Sequence, residues 1–539
     1  MEKSEEQVSR EQEREIQWQR WSKFIACGEN NISLNSLDVL IVVPPVNYRE
    51  KINISDSESI EPVLVEEDVG KQISIGSTLL ASEAERYGLK SGILYGEHTR
   101  IKRGNGEIAA FSPAETAKAI LASRAKLVGV SLFFPNSLEW LKQVRLEIEK
   151  QSGGSADLPR IITGGSLSSL ASKKVREDLM LDEESVVVGR GFPELRNNLI
   201  LVGGVEPEDK VDPEERFNPN FLIPPGSKNL GEGKSNLIYS LYFINNGGGL
   251  GCLGGRACEY CGGWYLGEKQ KLNVDKVKKQ IDLMASVGIK YLSPADNYIN
   301  TSNTQEANRF IELAKYAQER GMTITSFFIR PEFAAKTDMN VLAELVRYGV
   351  NSAYMGVEFT NAELLYQTGR ISENRTAQEY LETTRRAFEK LIKVDPDFKV
   401  TLSVMLAYPG TTREVDKQTL DHIAIMLNTT RGVRKQTGRE WHINQVNVDL
   451  YMTQLIPGSD LYNRYVEQGV KPADIWRYNL ETRRRWDLLL AKLNGAQDST
   501  YNFISIEKMI AEKSPDVINE ILNFTDERRL VFESIQPKK

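Results

Sequence analysis

The sequence predicts an α/β protein in consecutive parts: an N-terminal doubly wound parallel sheet, a partial (β/α)6 barrel, and a helical C-terminal cap. Three observations carry this expectation. Short apolar runs alternate with helix candidates from Val39 to Val188 and again from Leu237 to Leu450, as buried parallel strands joined by crossover helices do. Between the two series, residues 206–236 are rich in Pro, Gly, Asn and charge and read as a linker. Finally, three of the four cysteines in 539 residues fall within ten positions of one glycine-rich loop, just after the first strand of the second series.

Residues 1–35 form an N-terminal helical extension. They begin charged and then carry Ile16, Trp18, Trp21, Phe24 and Ile25 at helical spacing, an apolar face suited to packing on the next domain. In 36–205 the strand candidates are Val39–Val43, stopped by Pro44 and Pro45, then Gly92–Tyr95, Leu127–Leu132, Arg160–Thr163 and Ser185–Val188. Helix candidates near 78–87, 113–124 and 137–151 fill the intervals. A sheet of this kind binds ligands at the carboxyl ends of its strands. The residues there are Pro45, Ser131, Gly164, Gly165, Gly189 and Gly191, which also serve as ordinary turn residues.

In 237–470 six strand–helix units follow, with polar residues at their strand ends: Asp296 and Asn297, Arg330, Glu358, Ser403 and Asn447. The tail, 471–539, reads as helical and aromatic and is expected to cap the barrel mouth, with Thr482–Trp486 a solvated helix face.

Composition excludes several classes. Hydrophobic content of 40% and charge of 26% are ordinary for a globular chain. Lys+Arg 68 against Asp+Glu 74 gives −6, so there is no basic surplus for nucleic acid. The sequence shows neither a signal peptide nor an apolar run long enough to span a bilayer. Clustered cysteines without a disulfide framework fit a reducing cytoplasm, and the leftover Cys27 reads as a small buried apolar residue.

The loop reads Gly-Gly-Gly-Leu-Gly-Cys252-Leu-Gly-Gly-Arg-Ala-Cys258-Glu-Tyr-Cys261-Gly-Gly-Trp. Three converging thiolates suit a metal or a cluster better than a core. Structural zinc takes a closed shell of four ligands, whereas a four-iron cluster on three cysteines keeps one iron open. From the loop alone, zinc and a cluster both remain open.

This loop resembles that of the radical S-adenosylmethionine enzymes, although its spacing is five residues then two rather than three then two. The segments Met-Gly-Val-Glu358, Tyr-Pro-Gly-Thr411 and Ile-Pro-Gly-Ser-Asp-Leu-Tyr462 resemble recurring segments of one subclass of that family. The resemblance implies that Cys252, Cys258 and Cys261 hold a [4Fe–4S] cluster whose open iron is chelated by S-adenosylmethionine. It also implies that Tyr260, Gly262 and Gly263 lie along the nucleoside and amino group. Arg330, Glu358 and Ser403 would contact ribose and carboxylate, with Asp296 and Asn447 at neighbouring strand ends.

Residues 36–205 in turn resemble the Rossmann-like cobalamin-binding domain of that subclass. The likeness lies in the strand with two prolines, the Ile-Thr-Gly164-Gly165-Ser loop and the Val-Gly189-Arg-Gly191-Phe-Pro-Glu turn. The chain departs from cobalamin proteins that ligate cobalt: it has no Asp-x-His-x-x-Gly motif, and His98 is the only histidine of the domain. The implied cobalamin is therefore base-off, with no protein histidine on cobalt; the same absence fits a domain that has lost cobalamin.

Taken together, the resemblance implies a cytoplasmic methyltransferase acting on an unactivated carbon or phosphorus of a small molecule or peptide. An electron donor such as flavodoxin or ferredoxin would serve it. The alternative is a radical enzyme using the same cofactors for cyclisation, ring contraction or oxidation. A methylthiotransferase is disfavoured, because only Cys27 remains outside the loop.

Overall fold

The computed structural model describes residues 5–27, 36–45, 59–63, 72–73, 75–96, 99–132, 135–153, 158–188, 192–208, 213, 216–225, 237–241, 258–261, 273–294, 298–371, 376–395, 397–436, 446–494, 503–504 and 515–537. It divides into two compact units, Met1–Leu241 with Asp275–Tyr291, and Tyr242–Val274 with Leu292–Lys539.

The first unit is built on a sheet of β1 (Ile25–Cys27), β2 (Val39–Val43), β3 (Ser91–Tyr95), β4 (Leu127–Ser131) and β5 (Arg160–Gly164), in the spatial order β1-β3-β2-β4-β5. All pairs are parallel except β1 with β3. Every residue of β2 is buried, as a central strand covered on both faces must be. The four parallel strands run in the flavodoxin-like order 2-1-3-4, so the crevice at the switch point opens beyond the ends of β2 and β4.

Three sequence expectations change here. Val186 makes only an isolated parallel bridge to Thr163, so Ser185–Val188 is a minimal outer edge and not a full fifth strand. At the other edge, the helix Glu5–Trp21 gives way to a 3-10 turn, Ser22–Phe24, and then to β1, so Ile25 belongs to a strand. Phe24 stacks edge-on to Phe111 at 5.3 Å, and Trp21 lies 6.3 Å from the same ring. This cluster docks the extension beside the helix Pro113–Ser123, whose Ser112 and Glu115 form a reciprocal cap. Cys27 is half-buried at the end of β1, and burial pushes its thiol up to about 11. It therefore behaves as an inert side chain. Part of the stretch read as a linker also folds back, because Phe221 and Leu222 are fully buried and the Tyr95 hydroxyl donates to the Phe221 carbonyl at 2.8 Å. The strand Ile238–Leu241 pairs in parallel with Gln72–Ile73 in this unit.

The second unit carries β6 (Ser326–Ile329), β7 (Ser352–Glu358), β8 (Lys399–Leu406), β9 (Val446–Met452) and β10 (Phe503–Ile504) in sequential order, parallel except for the last pair. Burial alternates along β7: Ala353, Met355 and Val357 are buried, and Tyr354, Gly356 and Glu358 less so. One face is therefore apolar and the other polar, as period-2 strands require. Next to β6, the Leu292 carbonyl accepts from Thr325 N at 2.8 Å.

The tail supplies the helices Pro472–Asn494 and Pro515–Ile535. Arg529 from the second of these pairs with the buried Asp416, which also accepts from Ala407 N through both oxygens at 3.1 Å. Ala407 has φ +52, so the tail fastens a strained turn at the carboxyl end of β8. Among the described residues no helix is long and apolar enough to cross a membrane.

Removing one partner of a buried ion pair leaves an uncompensated charge. Arg529→Met should therefore destabilise the apo-protein by about 3–5 kcal/mol in urea unfolding. A loss below about 1 kcal/mol, the range of an exposed pair, would mean that the tail is not docked this way.

Candidate functional site

Of the cysteine loop, residues 258–261 are described; Cys252, Gly262 and Gly263 lie outside the described residues, as do Asp296 and Asn297. Cys258 and Cys261 are half-buried, form no disulfide and share one turn, closed by Cys261 N donating to the Cys258 carbonyl at 2.8 Å. Tyr260 packs its ring edge-on to Phe359 at 5.7 Å, and Phe359 does the same to Tyr408 at 5.3 Å. Burial, followed by the neighbouring Cys258 and Glu358, pushes the Tyr260 phenol up, which keeps it protonated.

Beside this turn stand the ends of β6, β7 and β8. Glu358 closes β7 with φ +64, after a register shift at Gly356, so its backbone leaves the extended region. A Cβ at Gly356 would come within 2.5 Å of Glu358 Oε1, so a larger residue there would push the Glu358 carboxylate aside. Burial pushes the Glu358 carboxyl up against the opposing pull of Arg370 and Arg330, and Ser403 shares a hydrogen bond with it. Arg370 donates to the Gly356 carbonyl and, through Nε, to the Tyr380 hydroxyl at 3.0 Å, while Tyr380 donates to the Val357 carbonyl at 3.1 Å.

Arg330 follows β6 and is 4% exposed. It reaches Glu332, two residues on, through Nε at 3.4 Å and Nη2 at 3.3 Å. Burial alone would raise Glu332, but Arg370 and then Arg330 carry it down to about 2. Two buried guanidiniums thus face one firmly ionised carboxylate, and Cys258 lies close enough to act on both arginines. The surplus positive charge suits anionic thiolates and a ligand carboxylate.

Asn447 is placed differently from expectation. The strand runs on to Met452, so Asn447 is its second residue, opposite Thr401, and not its carboxyl end. Opposite Ser403 stands Asp449, which is 3% exposed and accepts from the hydroxyls of both Tyr354 and Tyr451. Asp449 Oδ1 is buried without a partner among the described residues. Sequence reading that looked only at strand ends missed Tyr354, Arg370, Asp449 and Tyr451. The alternation of polar 447, 449 and 451 with apolar neighbours was the available signal for two of them, Asp449 and Tyr451.

In the first unit, Pro45 is buried after β2. Ser131 and Gly164 are register partners at the ends of β4 and β5. Gly165, at φ +92, lies so close to the Leu132 carbonyl that a Cβ would meet its oxygen at 2.6 Å. These are small residues packed backbone to backbone, a cradle that side chains would fill. Gly189 and Gly191 lie outside the described residues. Among the described residues, no three His, Cys, Asp or Glu side chains group to hold a metal ion, and Cys252 is not among those residues.

Residues 249–423 match the Radical SAM superfamily. That span holds the cysteine loop, β6, β7 and β8, so the second unit carries a radical S-adenosylmethionine domain. A comparison with curated proteins finds no match. Among solved structures, the chain is similar to the radical S-adenosylmethionine methyltransferase TsrM from Kitasatospora setae, solved with cobalamin and a [4Fe–4S] cluster bound. The two are 12% identical over 80% of this chain and 75% of that one, with a TM-score of 0.51. It is equally similar to OxsB, a cobalamin-dependent S-adenosylmethionine radical enzyme solved with aqua-cobalamin and S-adenosylmethionine bound: 14% identity, 93% and 80% coverage, TM-score 0.51. The fold is thus that of cobalamin-binding radical enzymes: a parallel α/β sheet followed by a radical barrel.

Because the Glu332 pKa is depressed in the folded state, its stabilising contribution is present above the ordinary value of 4.5 and is lost as pH falls toward 2. Glu332→Gln should cost the apo-protein about 3 kcal/mol at pH 7, and the gap to the unaltered protein should narrow below pH 4.5. A gap constant from pH 7 to pH 3 would refute the ionised-carboxylate assignment.

Proposed function

We propose that this chain is a cytoplasmic, cobalamin-dependent radical S-adenosylmethionine methyltransferase acting on an unactivated carbon or phosphorus of a small molecule or peptide. The observation that carries the reading is the apposition, within one unit, of the Cys258–Cys261 turn with Glu358 at the end of β7, Arg330 after β6, Ser403 within β8, and Arg370.

Cys252, Cys258 and Cys261 would hold the cluster, and the placing of the last two on one turn, outside any disulfide, fits it. Arg330 would meet the carboxylate of S-adenosylmethionine, and Glu358 and Ser403 its ribose. Tyr260, Gly262, Gly263 and Asp296 would line the nucleoside and amino group, with Asn447 deeper on the same polar face. Pro45, Ser131, Gly164, Gly165, Gly189 and Gly191 would cradle cobalamin, and the small-residue packing at Gly165 supports that reading. When bound, the cluster supplies the electron that cleaves a carbon–sulfur bond of S-adenosylmethionine, and cobalamin supplies a methyl carrier.

The protein's own work is positioning and exclusion of water. Arg370 fixes the bulged end of β7, Glu332 fixes Arg330, and the docked tail fastens the turn after β8. Asp449, with a free buried oxygen on the polar face, is suited to receive an N–H or O–H group of the substrate.

Anaerobically reconstituted protein should hold about four irons per chain. Alanine at Cys258 or Cys261 should remove them and abolish 5′-deoxyadenosine formation. Stoichiometric zinc without iron would sink the reading. Bound cobalamin should keep its spectrum in His98→Ala, whereas a histidine ligand would change it. With substrate, S-adenosylhomocysteine and 5′-deoxyadenosine should accumulate together with methylated product. Deoxyadenosine without methylation would favour cyclisation, ring contraction or oxidation instead.

A further inference from the structure

Of the segments Tyr408-Pro-Gly-Thr411 and Ile456-Pro-Gly-Ser-Asp-Leu-Tyr462, only the Tyr408 ring enters the contacts described so far, yet both segments end on one residue. That residue is Glu259, which sits between Cys258 and Cys261. In the first segment, Gly410 turns at φ +85, and Thr411 donates to the Tyr408 carbonyl through N at 3.1 Å and through Oγ1 at 2.7 Å. The turn holds the fully buried Tyr408 so that its hydroxyl donates to Glu259 Oε2 at 2.9 Å.

In the second segment, Ser459 caps the helix Asp460–Glu467 by accepting from Tyr462 N. A helix start leaves backbone donors without intrahelical partners. One of them, Leu461 N, donates to the Glu259 carbonyl at 2.9 Å. Three residues on, and so on the same helix face, Arg464 Nη1 pairs with Glu259 Oε1 at 2.5 Å. Glu259 N donates to the Thr368 carbonyl at 3.0 Å, in the turn that leads to Arg370. Both carboxylate oxygens and both backbone groups of this residue are therefore engaged, while the residue is only 9% exposed.

We propose that Glu259 is the positioning residue of the cysteine turn, and that its pairing with Arg464 cancels a negative charge lying between two cluster ligands. The proposal rests on the cluster reading above. Local charge and hydrogen bonding set the potentials of iron–sulfur clusters, and an unbalanced negative charge makes reduction harder. Removing Glu259 and removing Arg464 must then act in opposite directions on the potential, although both loosen the turn. A purely mechanical anchor has no such sign difference.

The test uses the full chain, reconstituted anaerobically with iron and sulfide, as unaltered protein, Glu259→Gln and Arg464→Gln. Iron per chain is measured, and the cluster's midpoint potential is read by redox titration of its reduced electron paramagnetic resonance signal. Both variants should retain less iron. The potential should rise in Glu259→Gln and fall in Arg464→Gln. If either variant fails to fold, Tyr408→Phe, which keeps the ring and every charge, should lower the potential as Arg464→Gln does. Shifts in the same direction, or potentials equal to that of the unaltered protein, overturn the proposal while leaving the cluster reading intact. Unaltered protein that takes up no iron overturns both.

Discussion

Two buried arginines set the terms for the second unit. Burying a guanidinium costs several kcal/mol unless its charge and donors are matched. Arg370 spends its donors on the Gly356 carbonyl and the Tyr380 hydroxyl, and Arg330 spends its own on Glu332. The Arg370 bond reaches the backbone of β7 where its register shifts, next to Glu358, whose left-handed conformation costs about 1–3 kcal/mol alone.

That arrangement explains why the polar face can be polar at all. Ser403 and Asp449 stand opposite each other on adjacent strands, and the two tyrosines that donate to Asp449 come from β7 and β9. Parallel register fixes these neighbours, because a slip of one residue would send every one of them into the apolar layer under the helices. The hydrophobic face formed by Met355, Leu402 and Val448 thus holds the polar face in place.

The sequence made legible what is periodic or clustered: the apolar runs that became β2 to β9, the cysteine loop, and polar residues such as Arg330 and Glu358 at strand ends, whereas Ser403, like Asn447, lies inside its strand. It concealed what depends on partners distant in the chain. Arg370 follows a short helix with no pattern to mark it, and only folding brings it to Gly356. Ser185–Val188 has a strand's composition but only one neighbour, Thr163, so a bridge is all that forms. Ile25 continues the helical spacing of Trp18 and Trp21, yet a β-branched residue facing the open edge of β3 gains more by pairing with Leu94. Phe221 and Leu222 were hidden among prolines and asparagines whose composition reads as a linker.

The two candidate binding regions are made by different physics. In the first unit it is the absence of side chains that shapes the strand ends: Gly164, Gly165 and Ser131 bring backbones within contact distance and leave no charge behind. A large ligand recognised by its shape and its own hydrogen-bonding edges fits such a surface. In the second unit Glu358 closes β7, Arg330 and Glu332 follow β6, Arg370 reaches in from the turn after a short helix, and the cysteine turn is pinned through Glu259. There, charge must be placed to within a hydrogen bond, because desolvated charges act strongly over short distances.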